Sequence, residues 1–152
     1  TFDWHLTNLN AYLHLSLTSP NQTKWGSHTL NALGIGAGTI GMPGDFASVS
    51  RFVRTAYIRS HMPKIEGDVQ AITQFFHMLD YVKMVKGGVL TDEGSEDLTT
   101  YSSCMDQEKG IYYYKTYENN RINAISMHKE QLEGTNLKFF KYLTNQDINY
   151  QN

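Results

Sequence analysis

Apolar residues recur along this chain with two periods, and the change between them falls near Gly88. Before that point the spacing is close to helical. Leu6, Leu9, Leu13 and Leu17 predict a helix from about Trp4 to Leu15. Ser19-Pro20-Asn21-Gln22 then signals a loop. Val49, Phe52, Val53, Ala56 and Tyr57 form a one-sided stripe and predict a second helix, with Asp45 as its N-cap and His61-Met62-Pro63 as its end. A third helix opens at Gly67-Asp68, shows Val69, Ile72, Phe75, Phe76, Leu79 and Val82 on one face, and stops at Gly87-Gly88. Trp4, Trp25, Phe75 and Phe76 read as core.

After Gly88 the period falls to two. Val89-Leu90-Thr91 leads into the turn Asp92-Glu93-Gly94. Leu98 to Met105, Ile111 to Tyr117 and Ile122 to Met127 follow, rich in Tyr, Thr and Ile. Short polar segments at 106–110 and 118–120 separate them. This is the pattern of an antiparallel meander, to which Leu137 to Tyr142 would add one more strand. Helices followed by a sheet make an α+β arrangement.

Five glycines fall between Gly34 and Gly44, and Gly36-Ala37-Gly38-Thr39-Ile40-Gly41 is a literal GxGxxG. In a dinucleotide site a helix starts inside that motif and its N-terminus holds the pyrophosphate. Here Met42-Pro43-Gly44 follows at once, and proline bars the preceding residue from the helical region. A nucleotide-binding protein built on this loop would need a helix starting near Gly38.

Composition narrows the classes further. At 152 residues the chain has the size of one ordinary domain. Its charged share of 18% is low beside the usual quarter or so. A net charge of −2 provides no electrostatic attraction for nucleic acid or an anionic membrane. No apolar run reaches the roughly 18 residues of a membrane span. The single cysteine, Cys104, excludes an internal disulfide. With no signal-peptide pattern at the start, the expectation is a cytoplasmic protein, in which the sequon Asn21-Gln22-Thr23 carries no meaning.

Candidate chemistry is sparse. Thr1 has the residue type of an N-terminal nucleophile, but such residues open a strand, and a helix is predicted here. Cys104 sits in an apolar strand with no neighbouring histidine in the sequence to lower its pKa, which favours packing over catalysis. The six histidines, at 5, 14, 28, 61, 77 and 128, show no HxxxH or HExxH pair, so neither a metal nor any cofactor is expected. Arg51 and Arg54 stand in the early turns of the second predicted helix, where the dipole prefers carboxylates. Residue types and spacing alone reach an α+β domain without a complete catalytic constellation.

The ordered motifs say more. Thr1-Phe2-Asp3-Trp4-His5 with Thr7-Asn8-Leu9, Gly41-Met42-Pro43-Gly44-Asp45-Phe46, Ser50-Arg51-Phe52-Val53-Arg54 and Phe75-Phe76-His77-Met78-Leu79 come first. Tyr101-Ser102-Ser103-Cys104, residues 108–114, Thr116-Tyr117-Glu118-Asn119 and Ile122-Asn123-Ala124-Ile125 complete the run. In order and spacing this string resembles the choloylglycine hydrolase family, which contains bile salt hydrolases and penicillin V acylases.

The resemblance implies part of a four-layer αββα sandwich of the N-terminal nucleophile hydrolase type. Residues 1–152 would form the C-terminal portion of a single such domain, with Thr1 internal. The implied activity is hydrolysis of linear amides through a cysteine acyl-enzyme, with the nucleophile in an N-terminal half outside this sequence. Of the family's catalytic positions, one falls here: Arg51 matches the arginine of the Ser-Arg-Phe motif. Implied partners are that N-terminal half, further copies in a tetramer, and a small amide substrate. The segments from Glu108 to Ile125 favour conjugated bile salts over penicillin V. A binding module that keeps the fold without the chemistry is the remaining alternative, and the 152 residues alone are expected to be inactive.

Overall fold

The computed structural model describes residues 3–152, which fall into two units, one ending at Lys64 and the other running from Ile65 to Asn152. In the first unit, helix α1 (Asp3–Leu9) continues as a single 3₁₀ turn over Asn10–Tyr12. The expected helix therefore tightens before Leu15. A two-stranded hairpin follows, β1 (Thr23–Trp25) against β2 (His28–Leu30), with Trp25 paired to His28. The helical-period reading had no place for it. All six strand residues are exposed, so no burial alternation betrays the strands.

Helix α2 spans Ser48–His61 and buries Val53 while half-burying Val49, Phe52, Ala56 and Tyr57, the predicted stripe. Its start differs from the expectation. Asp45 lies too far back to be the N-cap, a place taken by Ala47. The α1 side contributes the His5 ring, which meets Phe52 edge-on at 4.8 Å between centroids.

In the second unit, α3 (Asp68–Asp80) starts where Gly67-Asp68 predicted, with Gly67 at φ 89°. It ends seven residues before Gly87. The cause is tertiary: Met84 leaves the helical path to exchange two bonds with Thr99. Its N–H donates to Thr99 Oγ1 at 2.9 Å, and its carbonyl accepts from the Thr99 N–H at 3.1 Å. Strands β3 (Val89–Leu90) and β4 (Glu96–Asp97) pair across the predicted turn.

The meander is β5 (Tyr101–Asp106), β6 (Ile111–Thr116) and β7 (Asn123–Ser126), antiparallel in the order β5-β6-β7. Register places Cys104 opposite Tyr113 and Tyr112 opposite Ile125. Side chains alternate between faces. On one face, Lys115 meets α3, bonding Asp80 at 2.6 Å and lying 5.3 Å from the centre of the Phe76 ring. Lys109 pairs with Asp68 at the other end of the same helix. The opposite face shows Tyr101, Met105, Tyr112, Tyr114 and Ile125, with the Tyr112 and Tyr114 rings stacked 6.0 Å apart.

Leu137 to Tyr142 forms no strand. Just beyond it, side chains rather than a ladder fasten the chain. The Thr116 hydroxyl donates to the Leu143 carbonyl at 2.7 Å, Asn119 Nδ2 donates to the Asn145 carbonyl at 2.7 Å, and Arg121 pairs with Asp147.

Among the described residues the buried apolar side chains are Val53, Phe76, Met78 and Met84. Phe76 is core as predicted and Phe75 is half-buried, but Trp4 and Trp25 are exposed, as are Leu33, Ile35, Leu137 and Phe139. Among the described residues no helix is long and apolar enough to cross a membrane.

Candidate active-site segment around Arg51

The glycine-rich loop and the start of α2 form one construction. Gly36, at φ 90°, turns the chain into a 3₁₀ turn of three residues, Ala37–Thr39. Gly38 is buried because its backbone lies against another: its carbonyl accepts from the Ser16 N–H at 2.9 Å. A Cβ there would stand 2.1 Å from the Thr18 carbonyl oxygen and 2.5 Å from that of Ser16. The α-helix begins only at Ser48, so the GxGxxG motif does not open a helix and has no pyrophosphate-binding terminus.

Downstream, Asp45 reaches forward with its side chain. Its Oδ1 accepts the Ala47 N–H at 2.9 Å and its Oδ2 accepts the buried Ser50 hydroxyl at 2.7 Å. The carboxylate thus satisfies an orphan donor at the helix start, although Asp45 itself is outside the helix. These two bonds, the Ser50 bond foremost, hold its pKa below the ordinary carboxylate value, and the Arg54 charge adds to them. Arg54 is buried. Its Nη1 donates to the Pro43 carbonyl at 2.8 Å and to the Asp45 carbonyl at 2.7 Å.

Arg51 lies between these groups in the first turn. Its N–H makes the first α-helical bond, to the Ala47 carbonyl at 3.0 Å. Its side chain is half-buried, and the buried Nε has no hydrogen-bond partner among the described residues. The two arginines therefore differ in kind. Arg54 Nη1 is spent on backbone carbonyls, whereas Arg51, its buried Nε without a partner among the described residues, brings a cation to the positive end of a helix, a setting that suits an anion. Residue type and position marked both only as unfavourable to the dipole, and the motif string then singled out Arg51. The bonds of Arg54 had no signal beyond that mismatch and the loop ahead of it.

Thr1 lies outside the described residues. Cys104 belongs to β5 in the second unit, half-buried, with its thiol pushed up first by burial and then by Asp106. A thiol so placed is a poor nucleophile. Among the described residues no three His, Cys, Asp or Glu side chains are grouped to hold a metal ion.

Comparison with known proteins agrees with the motif string. The model for linear amide C–N hydrolases of the choloylglycine hydrolase family matches residues 1–140. A bile salt hydrolase/transferase from Clostridium perfringens is 50% identical over all 152 residues, which cover 46% of its length. The crystal structure of a conjugated bile acid hydrolase variant from the same organism superposes with a TM-score of 0.90, covering all of this chain and 46% of that one. A penicillin V acylase from Agrobacterium tumefaciens superposes with a TM-score of 0.55 at 26% identity over 85% of the chain. The 152 residues thus span about half the length of the curated relatives they match. By its motifs, its helices and antiparallel sheets, and these matches, the chain belongs to the choloylglycine hydrolase family of linear amide C–N hydrolases.

Proposed function

We propose that residues 1–152 are the C-terminal portion of an N-terminal nucleophile amidase, and that the whole protein hydrolyses the amide of glycine- or taurine-conjugated bile salts. The observation that carries this reading is the 50% identity, sustained along the entire chain, to a protein named for bile salt hydrolysis. The penicillin V acylase is half as similar in sequence and its fold agrees less well, which ranks penicillin V second as a substrate.

In the reaction, a thiolate from the N-terminal half attacks the amide carbonyl. The carbon–nitrogen bond breaks, glycine or taurine leaves after taking up a proton, and a thioester remains. Water then attacks the thioester carbonyl, releasing the bile acid and regenerating the thiol. The part played by this chain is electrostatic. At the N-terminus of α2 the Arg51 guanidinium favours the charged form of a thiolate and of a developing oxyanion. Its buried Nε, without a partner among the described residues, supports this assignment, since buried donors in native proteins are normally satisfied.

The sandwich is proposed on similar grounds. The second unit supplies one helix on one face of β5–β7, while the other face leaves Met105 and Tyr101 exposed beside Tyr112 and Ile125. An apolar sheet face of this kind fits against a second sheet, at about 10 Å, from the remainder of the domain. Assembly into a tetramer, implied by the family resemblance, belongs to the same proposal.

The test is release of free glycine or taurine from conjugated bile salts by the intact protein, with penicillin V as the competing substrate and the 152 residues alone as control. Turnover of bile salts by the intact protein and none by the isolated portion is expected. Faster turnover of penicillin V would reverse the substrate order. Absence of any amidase activity would leave a binding module of the same fold.

A further inference from the structure

We propose that Arg54, with the Asp45–Ser50 pair, is a positioning residue for Arg51: together they clamp the loop to the first turn of α2 and so hold the Arg51 guanidinium in place. The inference rests on Arg51 acting in amide hydrolysis, as proposed above.

The bonds form a closed circuit around one residue. The Arg51 N–H is tied to the Ala47 carbonyl, and the Ala47 N–H is tied in turn to Asp45 Oδ1. Ser50, the immediate neighbour of Arg51, holds Oδ2 of the same carboxylate. Arg54, three residues on, holds the backbone of Asp45 and of Pro43. Residues three apart on a helix are neighbours on its surface, so Arg54 stands beside Arg51 while its own guanidinium is turned to the loop. Asp45 is thereby bound at its main-chain carbonyl and at both carboxylate oxygens. The circuit is also costly to open. Removing the Arg54 guanidinium takes Nη1, the donor to both carbonyls, away at once.

This clamp is separable from a general contribution to folding. A residue that acts only through Arg51 loses its effect once Arg51 is already impaired, whereas a residue that merely supports the fold lowers activity equally in both backgrounds. The experiment is a double-mutant cycle in the intact protein with Arg54→Ala and Arg51→Lys, measuring kcat and KM for a glycine-conjugated bile salt. Arg54→Ala alone is expected to lower kcat/KM on the order of 100-fold, the effect of a displacement of about 1 Å in a catalytic group, and to do so mainly through kcat. In the Arg51→Lys background it is expected to lower it less than about threefold.

Equal losses in the two backgrounds would overturn the clamp while leaving Arg51 in its role. Full activity of Arg51→Lys and of Arg51→Ala would instead remove the reading on which the clamp rests, and the clamp with it. If Arg54→Ala fails to reach the native state by circular dichroism, Ser50→Ala takes its place in the cycle. That change removes one hydrogen bond and is expected to cost about tenfold alone and almost nothing beside Arg51→Lys. Additive loss from Ser50→Ala would overturn the proposal in the same way.

Discussion

In the loop before α2, the backbone is held by side chains, Asp45 on Ala47 and Ser50, and Arg54 on Pro43 and Asp45. In β5–β7 the backbone is held by other backbone, and side chains are left free to pack, Phe76 and Lys115 against one another and Cys104 in the half-buried layer. A ladder repeats every two residues and tolerates exchange of side chains that keep to their face. A side-chain clamp fixes one place on the chain and depends on each residue in it. The catalytic candidate Arg51 lies in the clamped region. The difference therefore separates substitutions that unfold the protein from substitutions that silence it.

The largest effect on stability belongs to the packed region. Phe76→Ala in the intact protein is expected to cost about 4 kcal/mol in denaturant unfolding, from lost burial and the cavity left behind. A cost under about 1 kcal/mol would show that Phe76 lies at an edge of the core rather than inside it. Next comes the close backbone approach in the loop. Gly38→Ala is expected to cost about 3 kcal/mol, because the new Cβ meets two carbonyl oxygens that cannot swing aside. Gly44→Ala, with open space around it, is expected to stay within about 0.5 kcal/mol. Equal effects at the two glycines would mean that the loop does not lie against Ser16 and Thr18.

Two smaller effects sharpen the contrast through pH. The Asp45 carboxyl has its pKa lowered in the folded protein, so its contribution is complete above the unfolded value of 3.8 and is lost as pH falls through the lower folded value. The gap in thermal midpoint between the protein and its Asp45→Asn variant is expected to be steady from pH 5 to 7 and to close below pH 3.8. A gap that persists to the lowest pH would show that the charge of Asp45 has no part in the clamp. Cys104 points the other way. Burial pushes its thiol up, so half-maximal rates of iodoacetamide labelling at this residue are expected above the ordinary thiol value of 9.0. Rapid labelling at neutral pH would mark it as an activated thiol and reopen its chemistry.

Much of the scaffold was legible because burial there is periodic. Val49, Phe52 and Val53 outlined α2, and the change of period after Gly88 located β5, β6 and β7 within a few residues. The misses share a physical origin. The β1–β2 hairpin has no buried face, so no apolar alternation marked its strands. The end of α3 is set by Thr99, fifteen residues beyond Met84, a pairing that no local pattern encodes. Leu137 to Tyr142 has strand-like composition but joins no ladder, and Thr116, Asn119 and Arg121 tie the chain just beyond it, at Leu143, Asn145 and Asp147. Trp4 and Trp25 look like core residues by type alone, and both are exposed.

The candidate site was legible in a different way. Arg51 emerged from the ordered motifs rather than from chemistry visible in the chain. Arg54 could be suspected only from a charge that suits its helix position poorly. Its two carbonyl bonds depend on how the glycine loop returns to α2.

The most direct test of the account is the rate at which the intact protein releases glycine from a glycine-conjugated bile salt, compared with that of its Arg51→Ala variant. The account predicts clear turnover by the unmodified protein and a loss on the order of 10³-fold in kcat/KM for the variant, with a thermal midpoint changed by no more than about 2 °C. Undiminished turnover by a folded Arg51→Ala protein would contradict it.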